Sequence, residues 1–384
     1  MTPVRPRRAD ATDAQVETVG VTPAPVSRAD GPSALPDPGS APLYAALDLG
    51  TNSCRMLIAQ PMGSQFSIVD SFSKTVQLGV GLEATGRLSR PSMGRTIQAL
   101  RICEKKLIKN GVGRMRLVAT EACRRARNAR DFIRQVRRET GLALEIITPE
   151  EEARLAVISC APLVSPSTEQ LLVVDIGGGS TELVWIDLSA VLAADRAKAI
   201  MRLHMGFDAQ GDGPAARVVD WISVPLGVAT LKDQFIDVDD DAARFALMSW
   251  FFEENLASFS PYNSDNPREG FQIIGTSGTV TTVAASFLNL KRYDRTKVDG
   301  LQMTSDQIDL VIREYLALGP EGRLSDPRIG RDRHALIMSG AAILQALMRI
   351  WPTDRLSVAD RGLREGLLYA QMSADGVLAD GPYR

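Results

Sequence analysis

QLLVVDIGGGSTELVWID (170–187) and LYAALDLGTNSCRMLIAQ (43–60) are two versions of one pattern. In each, an apolar strand ends in Asp-X-Gly, a short turn carries Ser or Thr, and a second apolar strand returns. Apolar runs bounded by glycine and small polar residues read as hairpins. Their aspartates, Asp48 and Asp175, stand 127 positions apart, too far for a stacked repeat and suited to a duplicated domain. A third strand-to-turn element, FQIIGTSGTV (271–280), ends in another glycine turn.

Around these three points the remaining elements fall into place. FSIVDSFSKTV (66–76) predicts a third strand beside the first hairpin. A helix is predicted over 90–110, with Pro91 near its start and Asn110-Gly111 closing it. MRLVAT (115–120) is the next strand, followed by a basic helix over about 124–139 and a strand at LEIIT (144–148). Pro149 and Glu150-Glu151-Glu152 then open a further helix. In the second half, 188–216 looks like an insertion and ARVVDWISVPLG (216–227) adds a strand. Helices are predicted within 229–258, over about 304–317 and 332–350, and from about Arg361. Residues 1–42 carry 8 of the 21 prolines and almost nothing bulky, a composition that predicts a disordered tail. The expected division is therefore tail 1–42, first domain 43–165 and second domain 166–384, with the last helix able to pack on the first domain.

The chain has 384 residues, room for two ordinary cores, and its 44 basic and 46 acidic side chains nearly cancel. That balance argues against a nucleic-acid coat or a polybasic membrane binder. One segment departs from it: 101–138 holds thirteen Lys and Arg against Glu104, Glu121 and Asp131, a basic face that would suit a polyanion. Four cysteines lack CxxC spacing, so neither a disulfide framework nor a zinc site is expected. Two histidines, His204 and His334, exclude chemistry that needs a cluster of imidazoles. No run of about 18 apolar residues suggests a membrane span, and no secretory signal opens the chain. A cytoplasmic protein is the expectation.

Glycine turns at strand ends let backbone N–H groups face a phosphate, and Ser and Thr hydroxyls add donors. Aspartates at those ends can hold a cation. DLGTNS (48–53), DIGGGST (175–181) and GTSGT (275–279) together make a phosphate site the reading, although neither the P-loop nor the Rossmann fingerprint occurs.

Two facing phosphate hairpins on duplicated domains resemble the actin, Hsp70 and sugar-kinase superfamily, an α/β, ribonuclease H-like architecture with an interdomain cleft. Within it, DLGTNS, ATEACRRARNARDF (119–132), PEEEARL (149–155), DIGGGSTEL (175–183), PLG (225–227), GTSGT and GLREGLL (362–368) resemble the exopolyphosphatase and guanosine pentaphosphate phosphohydrolase (Ppx/GppA) family. They follow its order and spacing from about Leu43 to Tyr369. One departure is Gln77 in VQLGVGL (76–82), where many members carry Arg.

The resemblance implies a Mg²⁺-dependent phosphoanhydride hydrolase. Glu152 would activate water, and Asp48, Asp175 and Glu182 would hold the metal. Phosphate would be bound by Gly50, Thr51, Asn52, Ser53, Arg55, Arg124, Gly177, Gly178, Gly179, Ser180, Thr181, Gly275, Thr276, Ser277 and Gly278. Inorganic polyphosphate is the first substrate expected and guanosine pentaphosphate the alternative, with no nucleic-acid polymer or membrane as partner and a homodimer as a candidate assembly. A catalytically silent polyphosphate or nucleotide sensor is the reading from a different class, and a kinase of the same superfamily is a third. Cys54, beside the first turn, reads as a packing residue, since no histidine base stands near it.

Overall fold

The computed structural model describes residues 42–207, 215–263, 269–330 and 333–378. The predicted tail lies outside the described residues except for Pro42, and so does part of the insertion at 188–216. In the first lobe, β1 (Tyr44–Leu49), β2 (Ser53–Met62) and β3 (Gln65–Thr75) run as an antiparallel meander. β4 (Arg114–Ala119) then pairs parallel to β1, and the two-residue β5 (Glu145–Ile146) pairs parallel to β4. The order is β3-β2-β1-β4-β5.

The second lobe takes the same path. β6 (Gln170–Ile176), β7 (Thr181–Asp187) and β8 (Arg217–Val224) form the meander, and β9 (Phe271–Thr276) pairs parallel to β6. β10 (Gln302–Met303) is an added edge strand beside β11 (Leu356–Ala359), which pairs parallel to β9. The order β10-β11-β9-β6-β7-β8 is therefore the first sheet repeated with one strand added, the duplication expected of the actin/Hsp70/sugar-kinase architecture. β11 escapes sequence reading because four residues, LSVA, are too few to show a period.

The helices decide how the lobes meet. α1 (Arg90–Lys109) starts where the Ser89 hydroxyl accepts from the Ser92 amide, and it buries Ile97, Leu100, Cys103 and Leu107 in the first core. The predicted basic helix is two pieces, α2 (Glu121–Arg125) and α3 (Ala129–Thr140), separated at Ala126, which adopts an extended conformation. α4 (Pro149–Cys160) is a shared wedge. Its Leu155 and Ile158 join Tyr44, Ala46 and Leu57 of the first sheet, while Ala153, Val157 and Cys160 pack with Leu171, Val173 and Val184 of the second.

α5 (Gly278–Phe287) follows β9, and α6 (Ile337–Ile350) is buried along most of its length. The helix predicted over 304–317 runs on from Ser305 to Ser325, broken at Gly319 (φ 62°) before Pro320. The last helix, α7 (Leu363–Ala374), sends Leu363, Leu367, Leu368 and Met372 into the first lobe's cluster. At its crossing with α4, a Cβ on Gly366 would lie 2.1 Å from the Leu155 carbonyl oxygen. Only glycine permits that approach. No helix among the described residues is long and apolar enough to cross a membrane.

Candidate active site

Both hairpin turns close in the same way. Gly50 N–H donates to Ser53 O at 2.9 Å, and Gly177 N–H donates to Ser180 O at 2.9 Å. Flanking segments then tie down the turn carbonyls. Asn52 O accepts from the amides of Val76 and Gln77, and Thr51 O accepts from Gly79 N–H. On the other lobe Gly177 O accepts from Val228 N–H, Gly178 O from Ala229 N–H, and Gly179 O from the Thr230 hydroxyl. This gives VQLG and the residues that follow PLG a shared purpose. With their carbonyls engaged, the turns are left with amides of Thr51, Asn52, Gly178, Gly179 and Ser180 that donate to no protein group among the described residues. Unpaired amides at adjacent turn positions are the ordinary anion nest.

The two turns touch. A Cβ on Gly179 would lie 2.4 Å from Thr51 Oγ1, and one on Gly178 would lie 3.2 Å from the Asn52 nitrogen. Beside this contact lies a cavity of about 190 Å³ lined by both turns, by Asp48, Asp175, Glu121 and Glu152, by Arg55, Arg333, Arg361 and Arg364, and by Thr276–Thr279. A smaller cavity, about 140 Å³, lies behind it and shares Thr51, Asn52, Glu121 and Gly179. Thr51 Oγ1 is buried between them with no hydrogen-bond partner.

Of the three glutamates opening α4, only Glu152 is buried, at 9% exposure. Its Oε2 accepts from Arg124 Nη1 at 2.6 Å. Glu151 instead pairs outward with Arg116. Burial and the charge of Glu182 push Glu152 well above the usual carboxylate range, and Arg124 opposes them. Asp48 and Asp175 stand at the ends of β1 and β6. Burial raises both, and with Glu152 and Asp48 beside it Asp175 reaches about 8. Arg55, held below its usual value by burial and by Arg364, partly offsets the two aspartates.

Several expected ligands stand elsewhere. Glu182, directly across the strand pair from Asp175, is 2% exposed and behind the cavity wall; it accepts from the Ser223 hydroxyl through Oε1 and leaves Oε2 unpaired. Burial, then Asp175, carries it to about 7. The Thr181 hydroxyl donates to Leu226 O rather than facing the cavity, and Gly275 is a buried strand residue packed on Val280. Arg124 does not line the cavity either: its guanidinium is taken by Glu121, Glu152 and Ile147 O.

Other members of the basic run 101–138 pair away from the main cavity, as in Lys106–Asp70, Arg101–Glu139 and Arg134–Asp131. His204 bonds Met201 O through Nδ1, and all four cysteines are buried and unpaired by disulfides. Within GTSGT, Ser277 adopts φ 152°, a region glycine favours, and its hydroxyl caps α5 by accepting from the amides of Thr279 and Val280.

Sequence reading missed the arginines of the second lobe. Arg333 donates to Gly278 O at 3.0 Å and to the Thr282 hydroxyl, with the Tyr293 ring 6.0 Å away. Arg361 is braced by Asp299 at 2.7 Å. The nearest acid to Arg364 is Glu365, at 3.9 Å. For Arg361 and Arg364 a signal existed, since GLREGLL follows the Arg361 position directly. Among the described residues no group of three or more His, Cys, Asp or Glu stands ready to hold a metal without other ligands.

Comparison with known proteins agrees with this geometry. The model of the Ppx/GppA phosphatase family matches residues 57–375. A guanosine-5'-triphosphate,3'-diphosphate pyrophosphatase of Aeromonas hydrophila is 30% identical over 331 residues, 86% of this chain and 59% of that protein, so the chain spans well under two thirds of its relative. The crystal structure of the Aquifex aeolicus Ppx/GppA family member is 31% identical, covers 87% of this chain and 98% of its own, and superposes with a TM-score of 0.68. An exopolyphosphatase structure from Cytophaga hutchinsonii, 21% identical over 88% of this chain and 99% of that one, shares the fold with a TM-score of 0.72. A duplicated fold, paired glycine turns and a match across most of the length lead to one conclusion: the chain belongs to the Ppx/GppA phosphatase family.

Proposed function

We propose that the protein hydrolyses a terminal phosphoanhydride bond, with water as nucleophile and orthophosphate as product. The observation that carries this reading is the convergence of two nests of unpaired amides on one cavity beside Glu152, a buried glutamate tethered by Arg124. Phosphoryl transfer to water needs positioning and charge neutralisation rather than covalent help. The turn amides, Arg55, Arg333 and Arg364 would hold the terminal phosphate and its neighbour. Glu152, fixed by Arg124, would accept the proton of the attacking water; a carboxylate that burial and a neighbouring charge push above its usual range is a stronger base than an ordinary one. The contact between the turns would keep bulk water from the reacting phosphate.

The donor set suits Mg²⁺ in one way. Two cavity carboxylates, Asp48 and Asp175, are poorly compensated, and magnesium is ordinarily held by one or two carboxylates with phosphate oxygens and water. Those two would hold it, and the ion would neutralise charge on the phosphates. Glu182, behind the wall, would act on Glu152 by its charge instead.

For the substrate, the name of the Aeromonas relative favours guanosine pentaphosphate, cut to the tetraphosphate. Inorganic polyphosphate, first in the sequence reading, remains as the second candidate, because Arg333, Arg361 and Arg364 offer several cations along one wall. Initial rates of orthophosphate release from the two purified substrates, with and without Mg²⁺, decide between them. Glu152→Gln is expected to lower kcat on either by about 10²–10⁴-fold, the usual worth of a general base. An unchanged kcat would remove the base assignment, and no orthophosphate release from either substrate would remove the hydrolase reading.

A further inference from the structure

Glu121 has no part in the mechanism above, yet it is 9% exposed and lines both the main cavity and the smaller one behind it. It opens α2, one residue beyond the Thr120 that follows β4, and so stands at the strand-end edge where the site is built. Its Oε2 accepts from Arg124 Nε at 3.1 Å and from Nη2 at 2.9 Å. Arg124 Nη1 reaches Glu152 Oε2 at 2.6 Å and Ile147 O at 3.2 Å. One guanidinium is thus shared between two buried carboxylates, with four of its five N–H groups directed at protein atoms.

We infer that Glu121 is a positioning residue: it holds Arg124 turned toward Glu152 and keeps that cation from becoming a phosphate ligand. The inference rests on Glu152 being the base. A guanidinium beside a phosphate cavity binds phosphate oxygens well, often through two parallel bonds. Held by Glu121, Arg124 instead fixes the direction of the Glu152 carboxylate. Without the charge of Glu121, an arriving phosphate competes with Glu152 for Arg124. The ground state then binds more tightly while the base loses its fixed direction, which lowers KM and kcat together. A merely structural role has a different signature, a lower melting temperature with KM unchanged or raised.

The test uses the full chain and Glu121→Gln, which keeps the size of the side chain and removes its charge. Binding of pyrophosphate, measured by calorimetry, should tighten severalfold. On whichever substrate the wild type cleaves, kcat should fall about tenfold or more while KM falls, the mark of lost transition-state rather than ground-state interaction. Glu121→Asp, which restores the charge, should return pyrophosphate affinity to the wild-type level. Adding Arg124→Lys to Glu121→Gln should abolish the tightening, since a lysine has no fork to offer. Unchanged or weaker pyrophosphate binding in a folded Glu121→Gln, or an unchanged kcat, overturns the inference. If the wild type cleaves neither substrate, the hydrolase reading fails, and the pyrophosphate measurement still decides the role of Glu121.

Discussion

The two hairpins share their closing hydrogen bond and differ in what faces the strand-end aspartate across the pair. Asp48 stands opposite Arg55, and Asp175 stands opposite Glu182. The first lobe therefore brings its own cation to the cavity, whereas the second buries two acids side by side and leaves both above their usual range. The turns differ as well. Thr51 and Asn52 project from the first, and Gly178 and Gly179 make room for them on the second. Duplication supplied one geometry twice, and the side chains then specialised: one turn is the knob and cation donor, the other the socket and anion pair.

The largest expected effect comes from filling the socket. Gly179→Ala would put a Cβ 2.4 Å from Thr51 Oγ1 and 2.9 Å from Glu121 Cγ, so the turns must separate. A displacement near 1 Å at a reacting centre costs about 10²-fold in rate, and a loss of that order in kcat/KM is expected. Gly50→Ala on the knob side meets nothing closer than 3.6 Å and should stay within a few-fold of wild type. Equal losses in the two variants would end the knob-and-socket distinction.

The next effect tests the charge asymmetry. Arg55→Gln removes the cation that offsets Asp48 and Asp175. A charge-assisted hydrogen bond is worth about 1.5–3 kcal/mol, so KM should rise roughly 10- to 100-fold, read from steady-state orthophosphate release. Glu182→Gln, the equivalent change on the other hairpin, adds no clash and removes a buried charge without touching the cavity; its KM should move much less. A larger effect at Glu182 than at Arg55 would place the working side chain behind the wall.

The hairpins themselves were legible because glycine, strand periodicity and the repeat of Asp-X-Gly are all local signals. Glu152 was legible only through the family pattern, since three acids at a helix start look alike until one of them is buried against Arg124. Arg124 was read as a phosphate ligand because sequence shows the residue type and not which carboxylates close over it. Glu182 was placed among the metal ligands by the family pattern, which names the residue but not the depth of the wall in front of it. Arg333 left no local trace. It approaches from a segment far down the chain and enters the site by way of Gly278 O and Tyr293, a tertiary arrangement with no periodic signature. The basic run misled for a related reason: charge counts along a chain do not say which face of a helix they occupy.

The smallest effect concerns stability and separates Asp175 from its partner by pH. In the folded chain Asp175 holds its proton to about 8 against an ordinary 3.8, chiefly through burial and then through the charges of Glu152 and Asp48. The unfolded chain therefore loses that proton first as pH rises. Between about pH 4 and 8 the folded state binds more protons at this site, so its contribution weakens as pH climbs through the window. Asp175→Asn stays neutral throughout and escapes the loss. The difference in melting temperature, variant minus wild type, should start near zero at pH 4 and grow steadily toward pH 8. Added Mg²⁺ should shrink that difference, since it stabilises only the chain that still carries the charge. A difference that is flat with pH, or that falls, would mean Asp175 is ionised in the folded state and the second hairpin is as well compensated as the first.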